Sequence, residues 1–196
     1  MRKVTYGAAC SLDGFIAGPN GEIDWLQYSK DVHAIMKDYW ARIDTLLIGR
    51  KTWEVANAMG GGSSAEGDTM MAGITFYVFS RTLGHLPAGK GELVSEHAGE
   101  FVRDLKRRRG KEICVFGGGE LAQSLFDAGV IDEVGLNVHP VLLGTGVPLF
   151  RDAGRIKLKL TECRQIAGGC VYMMYRVLPR RQRNLDLRHA LDAAVG

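Results

Sequence analysis

The sequence predicts an α/β domain: a mostly parallel sheet with helices on both faces and an antiparallel hairpin at its C-terminal edge. Three observations carry this expectation. Thr45-Leu-Leu-Ile48, Ile74 to Phe79 and Ile113-Cys-Val-Phe116 are short and nearly continuous apolar runs, the pattern of strands buried on both faces. Between them stand segments of helical spacing, with Val32, Ile35, Met36 and Tyr39 in one and Phe101, Val102 and Leu105 in another; strands alternating with helices build βαβ units. Near the end, Ile156 to Ile166 and Cys170 to Leu178 alternate around Ala167-Gly-Gly169, the signature of a hairpin.

Taken in order, Val4 to Ala9 is the first strand, followed by a long loop from Ser11 to Trp25. That loop carries Phe15, Ile16, Ile23 and Trp25, more apolar groups than a solvated linker would hold. Ser29 is available as an N-cap and Asp31 sits in the first turn of the helix that follows. Gly49-Arg-Lys-Thr-Trp-Glu54 leads from a strand into a helix that ends before Gly60, and Gly60 to Gly73 is small, polar and glycine-rich, a mobile loop. The helix from about Ala98 ends in Lys106-Arg-Arg-Arg109, a basic end suited to the negative helix pole and expected to be solvated. A strand at Ile113–Phe116 turns through three glycines into a helix that Gly129 stops. Glu133 to Val138 is a further strand, and His139 to Phe150 a loop with two glycines and two prolines. Residues 1–178 read as one domain, and 179–196 as an extension with a short helix at Leu185 to Val195.

Composition narrows the function classes. Among 196 residues, 46% are hydrophobic and 24% charged, ordinary values for one globular domain with a full core. No run approaches the roughly 18 apolar residues of a membrane span, and the chain opens directly on a strand pattern, so a cytoplasmic location is expected. Cys10, Cys114, Cys163 and Cys170 are scattered, and the three in predicted strands, Cys114, Cys163 and Cys170, are expected to act as small buried hydrophobes. The five histidines show no ligand spacing, so no metal is expected. A formal charge of +3 fits an anionic small ligand better than a nucleic-acid footprint.

Three strand ends carry phosphate-type chemistry. Gly117, Gly118 and Gly119, followed by Glu120 and Leu121, let backbone approach a ligand while the next helix aims its free N–H groups and positive pole at the same spot. Gly49, Arg50 and Thr52 form a second cradle, with a guanidinium and a hydroxyl in a first helical turn. Ser80-Arg81-Thr82 after another strand suits the 2′-phosphate that separates NADP from NAD. A Rossmann reading of Gly117-x-Gly119-x-x-Ala122 fails because Asp132 and Glu133 lie at the start of the next strand, not near its end.

The order of these segments resembles the dihydrofolate reductase superfamily, and within it the reductase domain of the bifunctional riboflavin-biosynthesis deaminase-reductase. The resemblance rests on Ala8-Ala-Cys-Ser-Leu-Asp-Gly-Phe-Ile-Ala17, Ile48-Gly-Arg-Lys-Thr-Trp-Glu54, Val78-Phe-Ser-Arg81, Val115-Phe-Gly-Gly-Gly-Glu-Leu121 and Pro140 to Phe150. It implies a three-layer α/β/α fold of the dihydrofolate reductase type, NADPH as hydride donor, and a homodimer. By position it implies phosphate contacts at Arg50 and Thr52, the 2′-phosphate at Ser80 and Arg81, the pyrophosphate at Gly117 to Leu121, and the nicotinamide carboxamide at backbone groups of Ala9 and Ile16. Asp13 is the catalytic candidate, with a turn aspartate as its structural alternative. Asp31 is a substrate-binding candidate, and Trp25 is either a lid or a substrate-stacking wall. Ile23-Asp24-Trp25 stands where a folate reductase has Pro-Trp, which argues against a true folate reductase. The riboflavin-pathway substrate carries a ribose phosphate, yet Lys30 is the one nearby cation on the rim, which points to a different heterocycle; the expected activity is reduction of a pteridine-, pyrimidine- or ribosylamino-type small molecule. A true dihydrofolate reductase and a non-catalytic nucleotide binder are the two alternatives.

Overall fold

The computed structural model describes residues 1–58, 71–116, 119–150 and 154–179. Its strands are β1 (Val4–Ser11), β2 (Phe15–Ala17), β3 (Ile43–Gly49), β4 (Thr75–Phe79), β5 (Glu92–Val94), β6 (Glu112–Phe116), β7 (Glu133–His139), β8 (Val147–Pro148), β9 (Leu158–Gln165) and β10 (Val171–Val177). Among the described residues these helices alternate with them: α1 (Lys30–Arg42), α2 (Arg50–Ala58), α3 (Ala98–Arg107) and α4 (Gly119–Asp127).

Eight strands form one sheet in the order β5-β4-β3-β6-β1-β7-β10-β9. The first six are parallel; β10 runs antiparallel to β7, and β9 antiparallel to β10. This is the dihydrofolate reductase-like architecture expected from the sequence. Topology and handedness assign the layers. The chain moves outward from β1 to β3 and β4 through α1 and α2, then returns to β6 and β7 through α3 and α4. Right-handed crossovers in opposite directions place the two helix pairs on opposite faces.

Packing agrees. On one face Val102 and Leu105 of α3 and Leu121, Leu125 and Phe126 of α4 close over Val4, Tyr6, Leu47, Ile113, Val115 and Val134. On the other, Trp40 of α1 packs with Ile43, Leu46 and Cys114, flanked by Met36 and Tyr39. The α1 start is the expected one, since Ser29 Oγ accepts a hydrogen bond from the Val32 N–H at 3.2 Å.

Several expectations change. The loops at 11–25 and 139–150 are not only loops, for β2 and β8 pair across them as a small separate sheet. The edge strand β5 had no sequence signal. Lys106, expected among solvated charges, is buried, and its Nζ donates to the Val130 carbonyl and pairs with Asp132 at 2.7 Å. Cys163 is exposed on β9, whereas Cys10, Cys114 and Cys170 are buried. Most of the expected loop from Gly60 to Gly73, and the expected helix at Leu185 to Val195, lie outside the described residues.

Candidate cofactor and substrate site

The site starts as a split in the sheet. β1 pairs with β6 only as far as Gly7 opposite Phe116, but with β7 as far as Ser11 opposite His139. Among the described residues, Ala8 to Ser11 therefore have no strand partner on the β6 side. Backbone donors and acceptors there need a partner from elsewhere. Ala9, expected at the nicotinamide carboxamide, lies on this open edge. Phe116, 37% exposed, stands at its mouth.

Two helix starts flank the split. α2 begins at Arg50 directly after β3, and α4 begins at Gly119 just beyond β6. Lys51 Nζ and Glu120 Oε1 lie 3.2 Å apart and tie the two first turns together. Gly49 lies beside Leu121, since a Cβ built on Gly49 would stand 3.8 Å from the Leu121 Cβ. Two positive helix poles and their free N–H groups thus converge, the arrangement that binds phosphate. At Gly119 a Cβ would meet only the carbonyl oxygens of Pro148 at 3.6 Å and Leu149 at 4.0 Å, ordinary contacts. The protein itself leaves room there. Gly117 and Gly118 lie outside the described residues.

The charged and hydroxyl candidates divide. Thr52 is half-buried in the first turn of α2. Arg50 instead pairs with Glu54 at 2.8 Å along its own helix, so part of its charge is already offset. Ser80 Oγ accepts from the N–H groups of Thr82 and Leu83 at 3.2 and 3.0 Å and shapes its own turn. Arg81 beside it is exposed and makes no ion pair among the described residues.

A flap covers the end of β1. β2 and β8 pair antiparallel, Leu12 N–H donates to the Val141 carbonyl at 2.9 Å, and Leu149 N–H donates to the Gly14 carbonyl at 2.8 Å. Ile16 packs from this flap onto the main core. Gly146 permits the closure: a Cβ on it would fall 2.2 Å from the Ala17 carbonyl oxygen, and its φ is +152°. Asp13 is the latch. Its carboxylate accepts from Ser11 Oγ at 2.6 Å, from Leu143 N–H at 3.1 Å and from Gly144 N–H at 2.8 Å. These bonds, the one from Ser11 foremost, hold its carboxyl below the usual aspartate range.

The remaining candidates gather on the α1 side. Asp31 Oδ2 accepts from the Ala167 N–H at 2.8 Å, joining α1 to the β9–β10 turn, so this oxygen is engaged within the protein. Trp25 donates its Nε1–H to the Glu22 carbonyl at 3.2 Å and meets the His139 ring edge-on, with centroids 5.4 Å apart. His139 was no sequence candidate. It is 1% exposed, and its Nδ1 receives the Gln27 N–H at 3.3 Å with Cys170 Sγ at 3.5 Å. Its Nε2 lies 3.0 Å from the Asn137 amide. Burial lowers the His139 pKa. The available signal was alternation along β7: with Leu136 and Val138 facing the core, Asn137 and His139 share the opposite face.

Residues 2–172 match the family model of the RibD C-terminal domain. The chain belongs to that family. Among its relatives, the uncharacterized protein YyaP of Bacillus subtilis (strain 168) is 34% identical over 181 residues, covering 89% of this chain and 95% of the relative. The chain is also similar to the crystal structure of a putative riboflavin biosynthesis protein from Shewanella sp. PV-4, with TM-score 0.74, 24% identity, and coverage of 90% of this chain and 99% of that one. A pyrimidine reductase-like protein from Corynebacterium diphtheriae has the same fold, with TM-score 0.70, 16% identity, and coverage of 91% and 93%. What these solved structures share with the chain is the fold, and its family is that of the RibD C-terminal domain. No helix among its described residues is long and apolar enough to cross a membrane.

Proposed function

We propose that this RibD C-terminal-domain protein is an NADPH-dependent reductase acting by direct hydride transfer on a small pteridine-, pyrimidine- or ribosylamino-pyrimidine-type molecule. One observation carries the reading: two helix starts, tied by Lys51 and Glu120, converge beside the split between β1 and β6. The residues fit the cofactor. The N–H groups from Gly119 to Leu121, with Thr52, would hold the pyrophosphate; Arg81 would take the 2′-phosphate; backbone groups of Ala9 and Ile16 would hold the carboxamide. Ser80 shapes the turn that presents Arg81, and Arg50 is divided between Glu54 and any phosphate. When bound, NADPH supplies the hydride; the protein's task is to position, to exclude water and to admit a proton. The flap latched by Asp13 serves exclusion, with Trp25 as one wall.

The reading extends to a cytoplasmic homodimer. β9 ends the sheet with an exposed face on which Leu158 and Leu160 are 39% and 50% exposed, and an open apolar edge favours pairing with a second copy. Sedimentation of the full chain tests it; a monomer at micromolar concentration rejects the dimer.

Titrating the protein with NADPH and NADH tests the main reading. Binding of NADPH well ahead of NADH supports it; no binding of either, or equal binding, refutes it. Binding without turnover of any acceptor is the second reading, and the complete engagement of Asp13 by the flap speaks for it. Oxidation of NADPH in the presence of 5-amino-6-(5-phosphoribosylamino)uracil or dihydrofolate decides between the two.

A further inference from the structure

The buried His139 cluster lies next to the proposed site and has no part in cofactor binding. His139 Nδ1 faces a backbone N–H, that of Gln27, which can only donate. The ring nitrogen there must accept, so the ring is neutral with its proton on Nε2. Cys170, whose thiol burial holds above its usual pKa, places an S–H beside the same Nδ1 as a second, weaker donor. Nε2–H then points at the Asn137 side chain 3.0 Å away. A donor facing the Asn137 NH2 would form no bond and would leave the Asn137 carbonyl oxygen buried without a partner. With the carboxamide turned the other way, its oxygen accepts from Nε2–H, and the NH2 group occupies the buried unpartnered position. That position is on the face opposite the α3–α4 core, on the residue paired with Ala9 at the open edge of β1.

We propose that His139, as the Nε2–H tautomer, orients the Asn137 carboxamide so that its NH2 group donates to a carbonyl oxygen of a pyrimidine-type substrate. A buried donor without a partner is costly and persists where a ligand or an ordered water completes it. This inference deepens the proposed reductase reading and rests on it for the place of the substrate. Asn137 would touch substrate; His139 is a positioning residue. The chemistry favours a neutral ring that presents a carbonyl on its leading edge.

Uracil is the probe, titrated into the full-length protein by ligand-observed NMR with and without NADP⁺. Asn137→Asp, which replaces the donor by an acceptor, and His139→Leu are each expected to weaken uracil at least ~10-fold, the scale of one lost buried hydrogen bond. His139→Gln keeps an amide N–H near the Nε2 position and is expected to restore binding to within about threefold. NADPH affinity stays at the wild-type value in all three variants, which separates this effect from misfolding. In the wild-type protein the two-bond ¹H–¹⁵N spectrum is expected to show His139 protonated on Nε2. Uracil that fails to bind the wild type, that binds Asn137→Asp equally well, or a ring protonated on Nδ1 overturns the inference. Wild-type protein that binds uracil but neither nicotinamide cofactor overturns the reductase reading and leaves the Asn137 contact standing.

Discussion

Replacing Gly119 by Ala separates the demands of the fold from those of the ligand. Gly119 is the first residue of α4, its φ is not positive, and a Cβ there makes only ordinary contacts with the Pro148 and Leu149 carbonyls. The fold therefore gains from the change, because Ala loses less backbone entropy than Gly on entering a helix. At a first-turn position the gain is about 0.5 kcal/mol, the lower end of the usual Gly-to-Ala difference. For a chain of this size that raises Tm by roughly 1–2 °C. The ligand loses. A methyl group at the mouth of the turn keeps a phosphate oxygen from the backbone N–H groups, and one lost charge-assisted bond costs about 1.5–3 kcal/mol. At 1.36 kcal/mol per tenfold, NADPH affinity falls roughly 10- to 150-fold. Differential scanning fluorimetry and NADPH titration of the same preparation read both effects. A raised Tm with unchanged NADPH affinity places the phosphate away from α4, and a Tm lowered by several degrees shows that the protein itself requires the glycine.

The other expectations concern charge, the flap and pH. Arg81→Ala weakens NADPH by about tenfold, the low end for a charged contact because this side chain is exposed, and leaves NADH unchanged; parallel titrations check it, and equal losses reject the 2′-phosphate role. Asp13→Asn removes the charge from the flap latch, so limited proteolysis between Val141 and Gly146 accelerates while NADPH affinity stays within about threefold, the low end for one weakened hydrogen bond; unaltered proteolysis rejects the latch. His139 has a folded-state pKa below its unfolded value because burial disfavours the charged ring. The unfolded chain then binds more protons, so the stability of the wild type is complete above the unfolded pKa of roughly 6.5 and declines as pH falls through the lower folded value. Its contacts Gln27, Asn137 and Trp25 do not titrate, and Cys170 is pushed upward, away from this window. His139→Gln is expected to flatten the Tm decline between pH 7 and 5, and equal slopes reject the assignment.

The fold was legible because its strands are buried on both faces and its helices are periodic. Thr45–Ile48 and Ile113–Phe116 declare themselves by composition, and Ser29 fixes the start of α1 by a cap that the structure contains. β5 and β8 were not legible, since two or three residues carry no period and their pairing is set by the chain they meet. The site was partly legible. Strand-end glycines and the start of α2 follow from local sequence, so their convergence at one rim follows once the sheet is parallel. Lys106 was misread for a different reason: a basic helix end looks solvated until the Val130 carbonyl and Asp132 arrive from 24 and 26 residues away. Asn137 and His139 were missed because their significance lies in Gln27 and Cys170, which sequence distance hides.

Asp13 shows what geometry adds to such a reading. The sequence offers it as an acid near the hydride acceptor. An acid must hold its proton before the transfer, and donors around its carboxyl oppose that by lowering its pKa. Here Ser11 Oγ–H and the N–H groups of Leu143 and Gly144 all donate to the carboxylate and favour its ionised form, and the same bonds close the flap. Protonating Asp13 therefore weakens the bonds that hold the flap closed. Latch and proton donor therefore compete in the closed state, and the geometry favours a proton that arrives from solvent at the rim or on the substrate itself. The rate of hydride transfer from bound NADPH should then show no acidic limb from Asp13 down to the pH at which the flap unlatches. An acidic limb that Asp13→Asn abolishes while the flap stays resistant to protease would return the proton to Asp13.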